Sequence, residues 1–211
     1  MTRLVALSAA YGAGGSRIGP ALAERLGVPF IDRAIPLAVA ERLEVPVDVA
    51  EEHDETVSRG LLERMLQGFV GADAGTPMGP VPELILEEDF RRETEAVIRR
   101  QAAAGEGVIL GRGAAFLLRE NPSVLRARLH GPAEARVRRA MELQGLDEQT
   151  ARRGLERADR AHASYAKHYG VNINDLRLYH LVLEATAFAL DDCVEMLAQA
   201  ALSLGESRAT V

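Results

Sequence analysis

The chain has 211 residues, of which 47% are hydrophobic and 27% charged, values typical of one globular domain with a single core. The net charge of −6 excludes a global basic field that would hold a nucleic-acid backbone, so any anion site must be local. The lone cysteine, Cys193, excludes an intramolecular disulfide, and no apolar run approaches the about 18 residues of a membrane span, so we expect a soluble cytoplasmic protein.

The first 31 residues predict a strand, a glycine-rich loop, a helix and a second strand. Residues 4–8 are apolar, residues 11–16 are rich in glycine, and apolar side chains then recur at helical spacing. Gly27 is expected to end that helix, and residues 28–31 form a short second strand. The chain therefore opens with a βαβ unit.

Residues 34–82 differ from their surroundings. Their first half has a helical but strongly acidic pattern, and residues 68–82 concentrate glycine and proline with few core side chains. We expect two or three helices followed by a loop. The remaining predicted elements, in chain order, are a helix over 83–104, a strand over 108–110, a helix over 114–119, a strand over 124–129, a helix over 132–144, one or two helices over 147–168, a strand over 179–183 and a helix over 191–204, with a frayed tail over 205–211.

Strands alternate with helices along most of the chain, which favours an α/β fold of three layers around a mainly parallel sheet of about five strands. The ligand site of such a sheet lies at the carboxyl ends of its strands. Arginines on amphipathic elements usually form a solvated face, and that is the interpretation preferred for Arg126, Arg128, Arg138, Arg152 and Arg153. Histidines 162, 168 and 180 follow no ligand spacing, so no zinc site is predicted.

The glycine-rich loop has the position of a phosphate-binding loop between the first strand and the first helix. Against the pattern G-x-x-x-x-G-K-[ST], Gly14 and Ser16 match, whereas Ala9 replaces the first glycine and Gly15 replaces the lysine. Backbone N–H groups and the helix N-terminus attract an anion without the lysine, and Ser16 is a candidate Mg²⁺ ligand. A tight turn that only packs the helix on the strand is the open alternative.

Other short motifs follow the loop in a recognisable order. Residue Asp32 ends the second strand, Gly111-Arg112-Gly113 forms a later turn, and a final segment over 184–186 ends the last strand. Two arginine-rich helical segments lie between them, with the residues Arg136, Arg139, Arg157, Asp159 and Arg160. In this order the motifs resemble those of the cytidylate kinase-like family, which belongs to the P-loop nucleoside monophosphate kinases, and the resemblance runs nearly end to end.

The resemblance implies a role for each matched residue. Arg112 would hold the acceptor phosphate, Asp32 and Asp159 would contribute to substrate binding, and the loop over 12–17 would bind ATP. These loop residues are Gly12, Ala13, Gly14, Gly15, Ser16 and Arg17. The arginines Arg136, Arg139, Arg157 and Arg160 would close over the donor and stabilise the transferring phosphoryl group. Residues 34–82 would form the monophosphate-binding region, and residues 132–170 a lid, within one domain over 1–211.

Two positions depart from the family pattern. Gly15 removes the lysine from the β- and γ-phosphates, and Gly113 replaces the aspartate of a G-R-D turn. The residues thus support two main hypotheses, and a kinase for a non-nucleotide substrate is a third possibility. The first is a kinase that transfers the γ-phosphoryl group of ATP, with Mg²⁺, to a nucleoside monophosphate such as CMP or dCMP; the alternative is a non-catalytic nucleotide-binding or regulatory protein. Neither predicts a nucleic-acid partner, a membrane partner or a particular oligomeric state.

Overall fold

The computed structural model describes residues 3–31 and 87–209, which form a five-stranded parallel sheet with helices on both faces. The strands are β1 (Arg3–Ala9), β2 (Phe30–Ile31), β3 (Glu106–Leu110), β4 (Val124–His130) and β5 (Leu181–Glu184). The helices are α1 (Gly15–Leu26), α2 (Glu87–Ala103), α3 (Ala114–Leu117), α4 (Ala133–Gln144), α5 (Glu148–His168) and α6 (Leu190–Ala209). Short 3₁₀ helices span Leu176–Leu178 and Ala185–Ala187.

The strand order is β2-β3-β1-β4-β5, and every neighbouring pair is parallel. The predicted α/β fold around a five-stranded sheet is therefore confirmed. Because β1 has a partner on each side, its carboxyl end lies at the centre of the sheet edge. The glycine loop leaves the sheet at that point, which puts it where parallel α/β sheets bind ligands.

Alternating side chains of the central strands supply two cores, one on each face of the sheet. Val5 and Leu7 of β1 pack on the face covered by α1 and α6, together with Cys193, which is fully buried. Leu4 and Ala6 point to the opposite face, which α2 and α3 cover. Burying each large aliphatic side chain contributes about 1.5–3 kcal/mol, so these two cores hold the strand ends in fixed register.

Several predicted boundaries shift in the structure. Residues 147–168 form one helix, and Asp147 caps it by accepting a hydrogen bond from the Thr150 N–H at 2.9 Å. The Thr150 hydroxyl, which donates to the same carboxylate at 2.7 Å, lowers the pKa of Asp147, and the capping N–H lowers it further. The expectation of a frayed tail is wrong for residues 205–209, because α6 continues to Ala209. The last strand begins two residues later than predicted, since residues 176–178 form a 3₁₀ turn.

Asp32 and residues 34–82, which were predicted to contact and enclose the acceptor, lie outside the described residues. The proposed lid range, by contrast, is described and consists of α4, α5 and their connection. Among the helices of residues 3–31 and 87–209, none is both long and apolar enough to span a bilayer.

Candidate active site

The glycine loop is shaped by two residues in the left-handed region of backbone conformation. Gly12 has φ 74° and Gly14 has φ 88°, and Gly14 is the N-cap of α1. An L-residue there costs about 1–2 kcal/mol, so glycine is favoured at both positions. The Ala13 N–H closes the turn by donating to the Ala10 carbonyl at 3.0 Å.

The loop is closely enclosed by its neighbours. A Cβ atom added to Gly12 would collide with the backbone carbonyl oxygen of Arg136 on α4. A Cβ atom added to Gly15 would lie 2.5 Å from the Cβ of Ala9 at the end of β1. Gly15 and Ala9 are the two positions at which the loop departs from the common phosphate-loop pattern. The two departures are therefore coupled, because the methyl group of Ala9 occupies the space that a side chain at position 15 would need.

The main-chain donors of the loop remain available to a ligand. In residues 3–31 and 87–209, the N–H groups of Gly12, Gly14, Gly15 and Ser16 have no hydrogen-bond acceptor, and no side chain caps α1. The first-turn N–H groups of a helix carry a partial positive charge that favours phosphate. The arrangement fits a phosphate cradle, and Ser16 is exposed beside it as a possible single hydroxyl ligand for Mg²⁺. Arg17, one of the loop residues expected to bind ATP, is also exposed.

Arg136 fastens α4 to the loop and to α5. Its guanidinium is buried and donates to the Tyr11 and Gly131 carbonyls at 3.2 and 3.0 Å. It also makes a two-pronged ion pair with Asp159 of α5, at 3.0 and 2.8 Å. Four such bonds leave Arg136 engaged by protein groups, so the structure supports a positioning role for it. Asp159 is occupied in the same way, because both of its oxygens accept from Arg136.

Arg139 lies one turn further along α4, beside the loop. Its Cδ atom would be 3.9 Å from a Cβ atom at Gly14, and its guanidinium donates to the carbonyls of Ala185 and Phe188 at 2.6 and 2.9 Å. Carbonyl partners orient the guanidinium without neutralising its charge. Arg139 therefore supplies a fixed positive charge next to the phosphate cradle.

The other two predicted arginines lie on the exposed side of α5. Arg157 is exposed, and within the described part of the chain it forms no ion pair. Arg160 is 74% exposed and approaches Glu156 at 3.8 Å, one turn away on the same helix. The structure thus brings Arg136, Arg139 and Asp159 together at the loop and leaves Arg157 and Arg160 at the surface.

Arg112 sits in a turn at the carboxyl end of β3, next to β1. The turn has positive φ at Gly111, Arg112 and Gly113, and Arg112, with φ 51°, is the one non-glycine residue with positive φ among those described. This conformation costs about 1–2 kcal/mol for a side chain such as arginine. It turns Arg112 back toward the strand end, where its Nη1 atom is 3.5 Å from the Leu110 carbonyl. A strained residue held at a strand end is typical of a functional position.

A chain of hydroxyl groups supports this turn from α5 and α2. The Tyr165 hydroxyl donates to the Arg112 carbonyl at 3.2 Å, and the Tyr169 hydroxyl donates to Glu95 at 2.8 Å. The two hydroxyl oxygens lie 3.2 Å apart, and because each hydroxyl has one proton, a hydrogen bond between them forms only when one of them turns its proton away from its other acceptor. Burial raises the pKa of both tyrosines, so both stay protonated as donors at neutral pH. A Cβ atom at Gly113 would lie 2.7 Å from the Tyr165 ring, so this ring occupies the space that a side chain at position 113 would need. No local sequence pattern points to Glu95, Tyr165 or Tyr169, because the network joins residues up to 74 positions apart.

Helix α5 contacts several of the elements at the carboxyl edge of the sheet. Tyr11 of the loop packs against Gly154, where an added Cβ atom would lie 2.8 Å from the tyrosine oxygen. Further along α5, Asp159 binds Arg136, and Tyr165 binds the turn at Arg112. Helix α5 therefore contacts both the glycine loop and the Arg112 turn.

The interpretation of Arg126 and Arg128 as a solvated face is wrong. Arg126 is partly buried and donates to the carbonyls of Leu178 and Arg119, each at 2.9 Å. Arg128 is only 9% exposed. The reason is tertiary, since the segment between α5 and β5 covers this face of β4. Arg138 and Arg153 are exposed as expected, and Arg152 bridges Glu134 and Glu148.

A surface groove of about 440 Å³ lies apart from the glycine loop, between α2 and α3, and Glu95 and Tyr169 contribute to its lining.

In the part of the chain that the structure describes, no three His, Cys, Asp or Glu side chains are grouped so as to hold a metal ion. Among the described residues near the loop, Ser16 is the one predicted Mg²⁺ ligand, and Mg²⁺ at phosphates commonly keeps water and nucleotide oxygens as its other ligands.

Comparison with known proteins points to kinases. The chain is 32% identical over 125 residues to cytidylate kinase of Methanopyrus kandleri, a match that covers 55% of this chain and 62% of that enzyme. It is 24% identical over 194 residues to cytidylate kinase of Pyrobaculum aerophilum, with 92% of this chain and 89% of that enzyme covered.

Solved structures show the same fold at low identity. An uncharacterized protein from Eubacterium ventriosum matches with a TM-score of 0.64 at 21% identity, over 96% of this chain and 99% of the other. A gluconokinase from Sinorhizobium meliloti matches at 0.53 and 18% identity, over 99% and 97% of the two chains. A shikimate kinase from Bacteroides thetaiotaomicron matches at 0.51 and 18% identity, over 94% and 98%. These similarities establish a P-loop kinase fold.

The model of the cytidylate kinase-like family matches residues 4–187, which include β1, the glycine loop, the Arg112 turn, α4, α5 and β5. The match extends over most of the chain and agrees with both relatives and with the fold. The protein therefore belongs to the cytidylate kinase-like family.

Proposed function

We propose that this protein is a cytoplasmic phosphotransferase that moves the γ-phosphoryl group of ATP to a nucleoside monophosphate such as CMP or dCMP. The observation that carries the proposal is the glycine loop with its unoccupied N–H donors at Gly12, Gly14, Gly15 and Ser16. The names of the two relatives favour a cytidine nucleotide as the acceptor.

The loop and Arg139 act on the donor. Main-chain N–H groups bind the phosphate oxygens, and the Arg139 guanidinium, oriented by two carbonyls, places its charge beside them. Because these donors are fixed before the nucleotide arrives, they require little reorganisation as charge shifts during phosphoryl transfer. Mg²⁺, when bound with ATP, supplies further neutralisation of the phosphate charge.

Arg112 acts on the acceptor. The strained turn presents its guanidinium at the carboxyl end of β3, and the Tyr165 hydroxyl holds the turn through the Arg112 carbonyl. A guanidinium binds a phosphate monoester through two parallel N–H groups, which fixes the direction of the attacking oxygen. The acceptor oxygen forms the new bond to the γ-phosphorus while the bond from that phosphorus to the bridging oxygen breaks, and ADP leaves with the electron pair.

Gly15 favours a second candidate, a nucleotide-binding protein without kinase activity. Loss of one preorganised cation from the β- and γ-phosphates costs about 3 kcal/mol or more, roughly a hundredfold in rate, unless Arg139 replaces it. This candidate predicts binding of ATP without formation of ADP.

A coupled assay of ADP release, run with ATP, Mg²⁺ and a panel of nucleoside monophosphates, distinguishes the two candidates. The kinase proposal expects turnover with CMP or dCMP, and a loss of about 100-fold or more in kcat/KM for the acceptor in Arg112→Ala. Arg138→Ala, which removes an exposed arginine of α4, is the matched control and should retain activity. Saturable ATP binding with no ADP formed for any acceptor would reject the kinase and leave the binding protein.

A further inference from the structure

Arg128 is a buried arginine for which the roles described above give no use. It lies on β4 opposite Ser8 of β1, near the carboxyl ends of both strands. It donates to the Ser8 hydroxyl at 3.1 Å and to the Asn174 side-chain carbonyl at 3.4 Å, and its guanidinium lies 5.8 Å from the centre of the Tyr179 ring. All three partners are neutral.

The charge of Arg128 has no counter-ion in residues 3–31 and 87–209, where no carboxylate forms an ion pair with it. Asp159, whose charge acts on the neighbouring His162, has both of its carboxylate oxygens held by Arg136. Removing an arginine from water without a paired anion is costly. Only two of the five N–H groups of a guanidinium are used by the hydrogen bonds to Ser8 and Asn174.

The position of Arg128 connects it to the proposed site. Ser8, which it binds, comes one residue before the end of β1, and the glycine loop follows directly. On α5, His162 lies one turn beyond Asp159 and close to Arg128; burial first, and the charge of Arg128 second, lower the pKa of His162. The histidine is therefore neutral at pH 7 and adds no charge of its own. Arg128 thus lies near the carboxyl ends of β1 and β4, close to the start of the glycine loop and to His162 of α5.

We propose that Arg128 is a phosphate-binding residue, oriented by Ser8 and Asn174, and that a phosphate group of the substrate is its missing counter-ion. The inference rests on the proposed function in so far as the phosphate belongs to a nucleotide. A phosphate oxygen would take the N–H groups that the neutral partners leave unused. The site would then contain a second cation, besides Arg139, in compensation for the lysine absent at position 15.

The test compares two arginines on the same strand face, Arg128→Met and Arg126→Met. Methionine keeps the apolar stem and removes the charge in both variants. Arg126 donates to backbone carbonyls, so its loss should lower the melting temperature and leave phosphate binding unchanged. Loss of Arg128 should weaken binding by about 10- to 100-fold while the melting temperature holds or rises, because an uncompensated buried charge is removed.

Two readouts separate this inference from the proposed function. The first is the rise in melting temperature caused by inorganic phosphate alone, which should be present in the wild type and in Arg126→Met and lost in Arg128→Met. The second is KM in the kinase assay: a rise for the nucleoside monophosphate assigns Arg128 to the acceptor, and a rise for ATP assigns it to the donor. If CMP is phosphorylated and both KM values are unchanged in Arg128→Met, the inference is overturned and the kinase stands. If no acceptor is phosphorylated but the phosphate effect depends on Arg128, the inference stands alone.

A titration of the intact wild type covers the case in which Arg128→Met does not fold. The pKa of His162, followed by NMR, should rise when phosphate binds, since an anion at Arg128 offsets the charge that helps to depress it. The neighbouring charged groups, Asp159 and Arg136, remain paired with each other throughout. An unchanged His162 pKa at saturating phosphate would contradict the proposal.

Discussion

The glycine loop and the Arg112 turn depart from the family pattern in opposite ways. The loop gives up a side chain: Gly15 stands where the lysine is usual, and Ala9 occupies the vacated space. The turn keeps its arginine at the expense of backbone strain, with Arg112 at φ 51° and the Tyr165 ring against Gly113. The comparison teaches that one region presents fixed main-chain donors, whereas the other presents one side chain whose turn is held by its neighbours.

The largest expected effect on stability and on ATP binding is that of Gly12→Ala, which distorts the glycine loop. The new methyl group would collide with the Arg136 carbonyl and would also force alanine to φ 74°. We expect about 2–5 kcal/mol of lost stability by urea unfolding, together with loss of measurable ATP binding by calorimetry.

Gly145→Ala is the matched control for that change. Gly145 ends α4 at φ 67°, and a Cβ atom there meets nothing within 4 Å. Its substitution should lower the free energy of unfolding by about 1–2 kcal/mol, the cost of holding alanine at positive φ. The affinity for ATP should be retained. Equal effects at both positions would show that enclosure by α4 is unimportant to the loop.

A smaller effect on stability is expected from substitutions at Ala9 and Gly15. Gly15→Lys alone should destabilise the protein because its Cβ would lie 2.5 Å from that of Ala9. Ala9→Gly together with Gly15→Lys removes the collision, so a double-mutant cycle should give a favourable coupling of about 1–3 kcal/mol. Additive effects in that cycle would mean that the two departures are independent.

The smallest effect should come from Tyr165→Phe at the turn. The change removes the hydrogen bond to the Arg112 carbonyl and keeps the ring against Gly113. The hydrogen bond that orients Arg112 contributes about 1 kcal/mol, so its loss should raise KM for the acceptor by roughly three- to tenfold. KM for ATP should stay unchanged.

Tyr169→Phe provides the comparison for that variant. It breaks the link to Glu95, one step further from Arg112, so its effect on the acceptor should be smaller than that of Tyr165→Phe. A change in KM for ATP in either variant would argue against separate donor and acceptor regions.

Much of the fold was predictable from local pattern. Alternating strands and helices indicated a parallel sheet of about five strands, and the residues of the loop indicated a phosphate site. The strand order was not predicted, because pairing depends on contacts between distant segments. The same limit explains Arg128: residues 124–129 alternate like a half-exposed strand, yet Asn174 and Tyr179 cover it from about 50 residues away.

The site was predictable where a residue type carries the chemistry. Arg112, Arg136 and Arg139 all lie at the carboxyl edge of the sheet, as the motif order implied. The contacts that each guanidinium makes could not be predicted from the sequence. Arg136 meets Asp159 only because α4 and α5 pack side by side, which assigns it to positioning, and the reciprocal fit of Ala9 with Gly15 requires coordinates.

The central claim, that main-chain donors bind the phosphates without a lysine, is tested most directly by NMR. ATP with Mg²⁺ should be titrated into the uniformly ¹⁵N-labelled protein while the loop amides are followed. The account predicts saturable downfield shifts that are largest at Gly12, Gly14, Gly15 and Ser16, and small at Ala13, whose N–H is already bonded to Ala10. Saturable binding with the loop amides unmoved, or no binding at millimolar ATP, would contradict it.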